Sequence, residues 1–250
     1  MSSRRSFLGG LVAAAFAPAR AFGAARPAVR PTPHQTEGPF YPSPAMRRNR
    51  VGAPPGNDLT RVGEHAAQGL RIAFHGQVTT LDGEPLAGAT IEIWQTCHRG
   101  RYLHPSDDFG SEIPQDPGFT YWGTTTTDEQ GGYGFLTVMP RRYPSGGQRE
   151  WWRPPHVHFQ VTDADGDQRL TTQLYFDDPA DPENDWKHRA IQTMDRLIRD
   201  IPRVRRGELV VPLTPLPDST FAAVGVSRPV AADDSLVGPP RVGRFDAVVK

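Results

Sequence analysis

The chain has a single cysteine, Cys97, in 250 residues, which rules out an intramolecular disulfide and a thiolate metal cluster. Its place in a strand-like run points to a buried free thiol. Net charge is also missing, with 28 Lys+Arg balancing 28 Asp+Glu. An even balance gives no electrostatic reason to expect nucleic acid or an anionic membrane surface as a partner. Beyond the first 25 residues no apolar run is long enough to span a bilayer, so no integral membrane segment is expected after processing. Long unbroken segments are scarce as well. The 25 glycines and 26 prolines cut the chain into short pieces, which disfavours a helical bundle and suits strands joined by turns.

What is present begins with Ser3-Arg4-Arg5-Ser6-Phe7-Leu8, a run of small apolar residues over 9–17, and Ala19-Arg20-Ala21. A charged start, a short apolar stretch and a small-residue exit make residues 1–25 a signal peptide. The paired arginines before Phe-Leu resemble a twin-arginine export signal, with a Sec signal or a retained N-terminal anchor as alternatives. The expected location is periplasmic or extracellular. Export in the folded state would suit a protein that acquires a cofactor first. Loss of 1–25 removes Arg4, Arg5 and Arg20 and no acid, leaving a net charge of −3.

Residues 26–69 are Pro-rich and weakly periodic and read as an extended arm; residues 70–250 read as a strand-rich β-sandwich domain. Apolar and polar residues alternate over 70–78 and again over 89–94. Segments 124–127 and 133–138 flank the turn Asp128-Glu129-Gln130-Gly131-Gly132 and read as a hairpin. A second hairpin joins 156–161 to 170–176 around Asp163-Ala164-Asp165-Gly166, and late strands are expected at 208–213 and 244–249. One amphipathic helix is expected after Pro182, with Trp186, Ala190, Ile191, Met194, Leu197 and Ile198 on one face. The fold class is therefore all-β: a β-sandwich core with long loops, an extended N-terminal arm and one short helix.

His156-Val157-His158 carries the first chemical signal. Alternate residues of a strand share a face, so both imidazoles project to one side and lie close enough to converge on one metal ion. The competing account is a cross-strand polar pair or hydrogen-bonded core histidines. Trp151-Trp152-Arg153-Pro154-Pro155 leads into the pair as a stiff entry that fixes the approach of Arg153. Tyr102 and Tyr143 stand at turn-like strand ends. No Asp or Glu adjoins the histidines to make a two-histidine, one-carboxylate ferrous site. A phenolate donor would favour ferric iron. On the residues alone this is a candidate metal site of histidine and tyrosine donors.

Several segments carry a wider resemblance: Thr36-Glu37-Gly38-Pro39-Phe40-Tyr41, Ile91-Glu92-Ile93-Trp94-Gln95, Gly100-Arg101-Tyr102, Tyr143-Pro144, Trp152-Arg153-Pro154-Pro155-His156-Val157-His158-Phe159, Leu170-Thr171-Thr172-Gln173-Leu174-Tyr175-Phe176 and Arg244-Phe245-Asp246. In this order they resemble the intradiol ring-cleavage dioxygenases, most of all protocatechuate 3,4-dioxygenase subunits. The resemblance implies one non-haem Fe(III) per chain, ligated by Tyr102, Tyr143, His156 and His158, with Tyr143 and His158 axial. It implies that Arg153 stabilises the electron-rich bound catechol and that Gln173 is its hydrogen-bonding partner. Gly38 and Pro39 would help to wall the substrate pocket. Tyr143 would take one phenolic proton of a small aromatic diol, which O2 then opens between its hydroxylated carbons to a cis,cis-muconic acid. The family also implies a homo- or hetero-oligomer.

Two departures stand out. A tryptophan common two residues after the second tyrosine ligand is here Ser145, followed by Gly146-Gly147. The long helical N-terminal segment of the catechol and hydroxyquinol branches has no room in 26–69. A rival reading comes from Gly76-Gln77-Val78, 82–89, Thr127-Asp128 and Gly132-Tyr133-Gly134-Phe135, which resemble transthyretin-like binding modules. Zinc hydrolysis at an open site is a second rival, poorly served by two phenolates. His34, His65, His75, His98, His104 and His188 have no spacing that suggests a site. Trp94 and Trp122 read as core or rim aromatics, and the acidic run 177–183 as a solvated loop.

Overall fold

Two five-stranded sheets pack against each other in the computed structural model, which describes residues 29–44, 46, 56–107, 112–145, 148–178, 195–216 and 240–250. The expected signal peptide at 1–25, Gly146-Gly147 and most of the helix expected after Pro182 lie outside the described residues. A two-stranded ladder of β1 (Arg61–Val62) and β2 (His65–Ala66) precedes the sheets.

The first sheet is built on β3 (Arg71–Thr80), whose alternating residues Ile72, Phe74 and Val78 enter the core. β6 (Gly132–Val138) pairs with it antiparallel, Phe74 opposite Phe135. β13 (Arg241–Arg244) and β14 (Ala247–Val249) follow it in parallel. β12 (Thr214–Pro215) adds to β13. The second sheet has the order β11 (Val210–Pro212), β10 (Gln168–Asp177), β9 (His156–Thr162), β4 (Thr90–Gln95) and β5 (Trp122–Thr126). Its inner face supplies Ile91, Ile93, Val157, Phe159, Val161, Leu170 and Leu174 to the shared core. Cys97 joins that core as a free thiol. The all-β sandwich expected from the sequence is therefore the fold observed.

Three local expectations change. The segments around Asp128–Gly132 are not a hairpin: β5 pairs with β4, while β6 pairs with β3 in the other sheet. The turn is built as expected, with Asp128 Oδ1 accepting from Gln130 N at 2.9 Å. Its flanks are claimed by different sheets, because Thr127 N donates to Ala89 O and Val78 N to Gly131 O, each at 2.9 Å. The single late strand at 244–249 is two strands, broken at Phe245. There the Tyr133 hydroxyl donates to Phe245 O at 2.6 Å, and Gly76 leaves the room: a Cβ on Gly76 would lie 1.6 Å from that oxygen. The acidic run is not wholly solvated. Asp177 ends β10, and buried Asp178 accepts from Arg241 Nε at 3.1 Å.

The described part of the arm runs past the edges of both sheets. Thr32 N donates to Val248 O, Gln35 N donates to Thr171 O, and the Thr172 hydroxyl donates to Pro33 O. These bonds carry residues 36–41 over the outer face of the second sheet. β7 (Tyr143–Ser145) and β8 (Gln148–Arg153) form a separate antiparallel ladder beside it.

Candidate metal centre

With Val157, Phe159 and Val161 committed to the core, strand alternation places His156 and His158 on the outer face of β9. Both are buried there, with ring centroids 4.9 Å apart. Register brings Gln173 of β10 and Trp94 of β4 opposite His158, and Tyr175 opposite His156. The Trp94 indole stacks on the His158 ring at 4.7 Å and 6°. His156 Nδ1 lies 2.7 Å from Pro154 O, so the N–H sits on Nδ1 and the Nε2 lone pair faces outward.

The tyrosines come from two other places. Cys97 N donates to Arg101 O and Gly100 N to Cys97 O, each at 2.9 Å, closing a turn just before Tyr102. Gly100 has φ 84°, and a Cβ there would lie 2.6 Å from Arg142 O. Only glycine combines that left-handed backbone with so close an approach to the residue before Tyr143. Asp107 Oδ2 accepts from Tyr102 N at 2.7 Å and fixes the other side of the loop. Tyr143 sits across from Arg153 in the β7–β8 ladder. The two phenol rings meet edge to face at 5.2 Å, Tyr143 lies 5.6 Å from the His156 ring, and the Tyr102 hydroxyl is 3.5 Å from His156 Nε2. Phe40 of the arm stacks on Tyr102 at 4.5 Å and covers it.

Burial dominates the electrostatics. It drives both histidines well below the usual imidazole pKa, assisted by the Arg153 charge, so both rings are neutral donors. It pushes both tyrosines up, Tyr102 furthest, with Tyr143 adding to that shift. For Tyr143 the nearby Arg153 opposes the rise. Burial works against the Arg153 charge too, but Tyr175, Tyr143 and Asp195 outweigh it and hold the guanidinium charged. Arg153 donates from Nε to Asp195 at 2.8 Å and from Nη2 to Gln173 Oε1.

A family model described as Dioxygenase matches residues 37–209, more than half of the chain and all of these side chains. The chain belongs to the intradiol dioxygenase family. It is 35% identical over 156 residues to the protocatechuate 3,4-dioxygenase beta chain of Burkholderia cepacia, covering 62% of this chain and 61% of that one. To catechol 1,2-dioxygenase 2 of Acinetobacter lwoffii it is 33% identical over 189 residues, covering 71% and 61%. The chain thus spans about three fifths of these relatives' length. Among solved structures, the dioxygenase domain of a dioxygenase carbohydrate-binding fusion from Streptomyces sp. SirexAA-E matches with TM-score 0.52 at 25% identity, covering 88% of this chain and 97% of that one. Hydroxyquinol 1,2-dioxygenase from Pseudomonas putida DLL-E4 matches with TM-score 0.58 at 22% identity over 90% and 68% of the two chains, a likeness of fold.

The donor set of this family member fits the ferric ion that the family implies. Two neutral imidazoles and two phenols converge, and His158 Nδ1 is buried with no hydrogen-bond partner among the described residues. Phenols this buried ionise only beside a strong cation. No three His, Cys, Asp or Glu side chains gather to hold a metal among the described residues, so a metal here would need the tyrosines.

The structure brings together Tyr102, Tyr143, Arg153, His156, His158 and Gln173. Gly38 joins them, since a Cβ on it would come within 3.4 Å of His158 Cε1. Pro39, its neighbour in the turn, is exposed. Sequence reasoning gave no role in the site to Asp195, Tyr175, Asp107, Phe40 or Tyr41. Trp94, read as a core or rim aromatic, is buried and also forms the platform under His158. The alternation over 89–94 sets Ile91 and Ile93 on one face and Glu92 and Trp94 on the other, and the structure has them so; what alternation did not give is the stacking of Trp94 on His158. Glu92 accepts from the Tyr41 hydroxyl at 3.0 Å, and Tyr41 meets the Trp94 ring at 4.8 Å.

Proposed function

We propose that this chain is a non-haem Fe(III)-dependent intradiol dioxygenase acting on a catechol-type diol, protocatechuate-like or related. O2 would open the ring between the two hydroxylated carbons to give a cis,cis-muconic acid. The observation that carries this reading is the convergence of His156, His158, Tyr102 and Tyr143 on one buried point with Arg153 beside it. Ferric iron held by those four side chains would supply the Lewis-acid template on which the diol is oriented for O2.

The chain's own groups divide the remaining work. Tyr143 would be held as a phenolate by the ferric ion, and its Oη would then take a phenolic proton of the diol and become a neutral phenol. It is the phenol next to Arg153, and that charge eases its ionisation. The Arg153 guanidinium stabilises negative charge growing on the ring carbon, a preorganised role worth about 3 kcal/mol in comparable sites. Gln173 holds Nη2 from below, and its own amide donates to Thr36 O at 3.0 Å. Gly38 keeps the space over His158 open, while Phe40 and Trp94 exclude water from the donors.

The test is a visible spectrum of the purified, iron-loaded protein before and after anaerobic addition of catechol or protocatechuate. A charge-transfer band that shifts with the diol is expected, followed on admission of O2 by one muconic acid per diol. A protein that stays colourless after reconstitution with ferric iron would remove this reading and favour a binding module.

Export by the twin-arginine route is proposed from Arg4-Arg5 and the apolar run behind them. Arg4→Lys with Arg5→Lys is expected to leave the unprocessed chain in the cytoplasm. Processing and export at the unmodified level would count against this route.

A further inference from the structure

We propose that Asp195 is a positioning residue, holding Arg153 in the orientation that charge stabilisation requires. This rests on the functional reading given above for Arg153. The pair is almost wholly buried, with side-chain exposures of 4% for Arg153 and 1% for Asp195. The two carboxylate oxygens of Asp195 have separate tasks. Oδ2 accepts from Arg153 Nε at 2.8 Å, and Oδ1 accepts from Leu197 N at 2.8 Å as the N-cap of α1 (Arg196–Arg199). An arginine side chain rotates freely until its planar fork is held at more than one nitrogen. Here Asp195 holds Nε and Gln173 holds Nη2, from two elements that approach from different directions.

Those two contacts are the ends of a closed circuit. The Tyr175 hydroxyl lies 3.2 Å from both Gln173 Oε1 and Gln35 Oε1 and is placed to donate to either. Gln35 Nε2 donates to Leu197 O at 3.3 Å, which returns the path to the helix that Asp195 caps. The ring thus runs Arg153, Asp195, Leu197, Gln35, Tyr175, Gln173 and back to Arg153. It ties the β7–β8 ladder, α1, the arm and β10 to one guanidinium. Asp195 is its one carboxylate. No other member of the ring can neutralise the buried charge while also fixing a helix end.

Asp195→Ser separates the two tasks, because serine caps a helix well but cannot pair with the guanidinium. The variant is expected to keep its iron and its visible band. Its kcat should fall about 10–100-fold with KM within about threefold, the scale of a misplaced catalytic group. Adding Asp195→Ser to Arg153→Lys should cost less than about twofold more, since two residues acting as a unit are not additive. A second readout needs no turnover. The Arg153 Nε–H resonance of the iron-free protein, assigned by its loss in Arg153→Lys, should exchange slowly in the wild type and shift or vanish in Asp195→Ser. Should the serine variant not fold, Asp195→Asn, which keeps one acceptor oxygen, is read by the same measures. An unchanged Nε–H signal, an unchanged kcat, or a full multiplicative loss in the double variant would overturn the proposal. A wild-type protein that turns over no diol brings down the functional reading instead, while the Nε–H signal still decides the role of Asp195.

Discussion

His158→Ala is expected to yield a protein without stoichiometric iron, without a visible band, and at least about 10⁴-fold slower in ring opening, the scale on which loss of a member of a catalytic unit is felt. Among the described residues the imidazole is one of two nitrogen donors at the site, and strand geometry offers no substitute. Its neighbours of the same parity on β9 are His156, already committed, and Gln160, whose amide donates to the Thr171 hydroxyl at 3.3 Å. The fold should survive. His158 makes no hydrogen bond through Nδ1, so alanine leaves a cavity under Trp94 and no orphaned partner. A loss of about 2 kcal/mol, or roughly 4–8 °C in Tm, is the expected structural cost measured on iron-free protein. Iron analysis, absorbance and O2 uptake on the same preparation decide the matter. A variant that keeps the band and the iron would show that His158 is not a ligand.

The histidine half of this site was legible from sequence because it is local. Period two within 156–161 sets the face of both rings, and the partner strand 170–176 follows a turn whose residues announce it. The tyrosine half was not. Tyr102 and Tyr143 are 41 positions apart, and what joins them is the fit of Gly100 under Arg142 O, a contact no spacing encodes. The residues alone offered both as candidate oxygen donors at turn-like strand ends, and only the resemblance to known dioxygenases made them a ligand pair. The misread hairpin at 124–138 has the same root. An Asp-to-Gly turn looks alike whether its flanks pair with each other or are captured by separate sheets, and capture depends on the distant Ala89 and Val78. Asp195 was hidden for a different reason. Leu197 and Ile198 continue the apolar face begun at Trp186, so the residue that caps α1 reads as a position inside one longer helix.

Arg153→Leu is expected to separate chemistry from metal binding. Tyr102, Tyr143, His156 and His158 remain, so iron and the visible band should persist. kcat should fall about 10²–10³-fold, the scale seen when one preorganised charge-stabilising donor is lost. KM should move less, because the diol is held mainly through its two oxygens. Stability should fall as well, since leucine leaves Asp195 buried without its counter-charge and Gln173 Oε1 without its strongest donor. Breaking a buried pair from one side costs about 3–5 kcal/mol. The two losses can be told apart by Arg153→Lys, which restores a cation but not the fork. An ammonium can approach Asp195 or Gln173 but cannot hold both in the geometry of Nε and Nη2. Lysine is therefore expected to recover most of the thermal stability and little of the kcat. If lysine restored both, charge alone would suffice and the circuit around the guanidinium would have no bearing on the rate. If leucine bleached the protein, Arg153 would belong to the metal site itself, and its role as a separate stabiliser of the ring carbon would have to be abandoned.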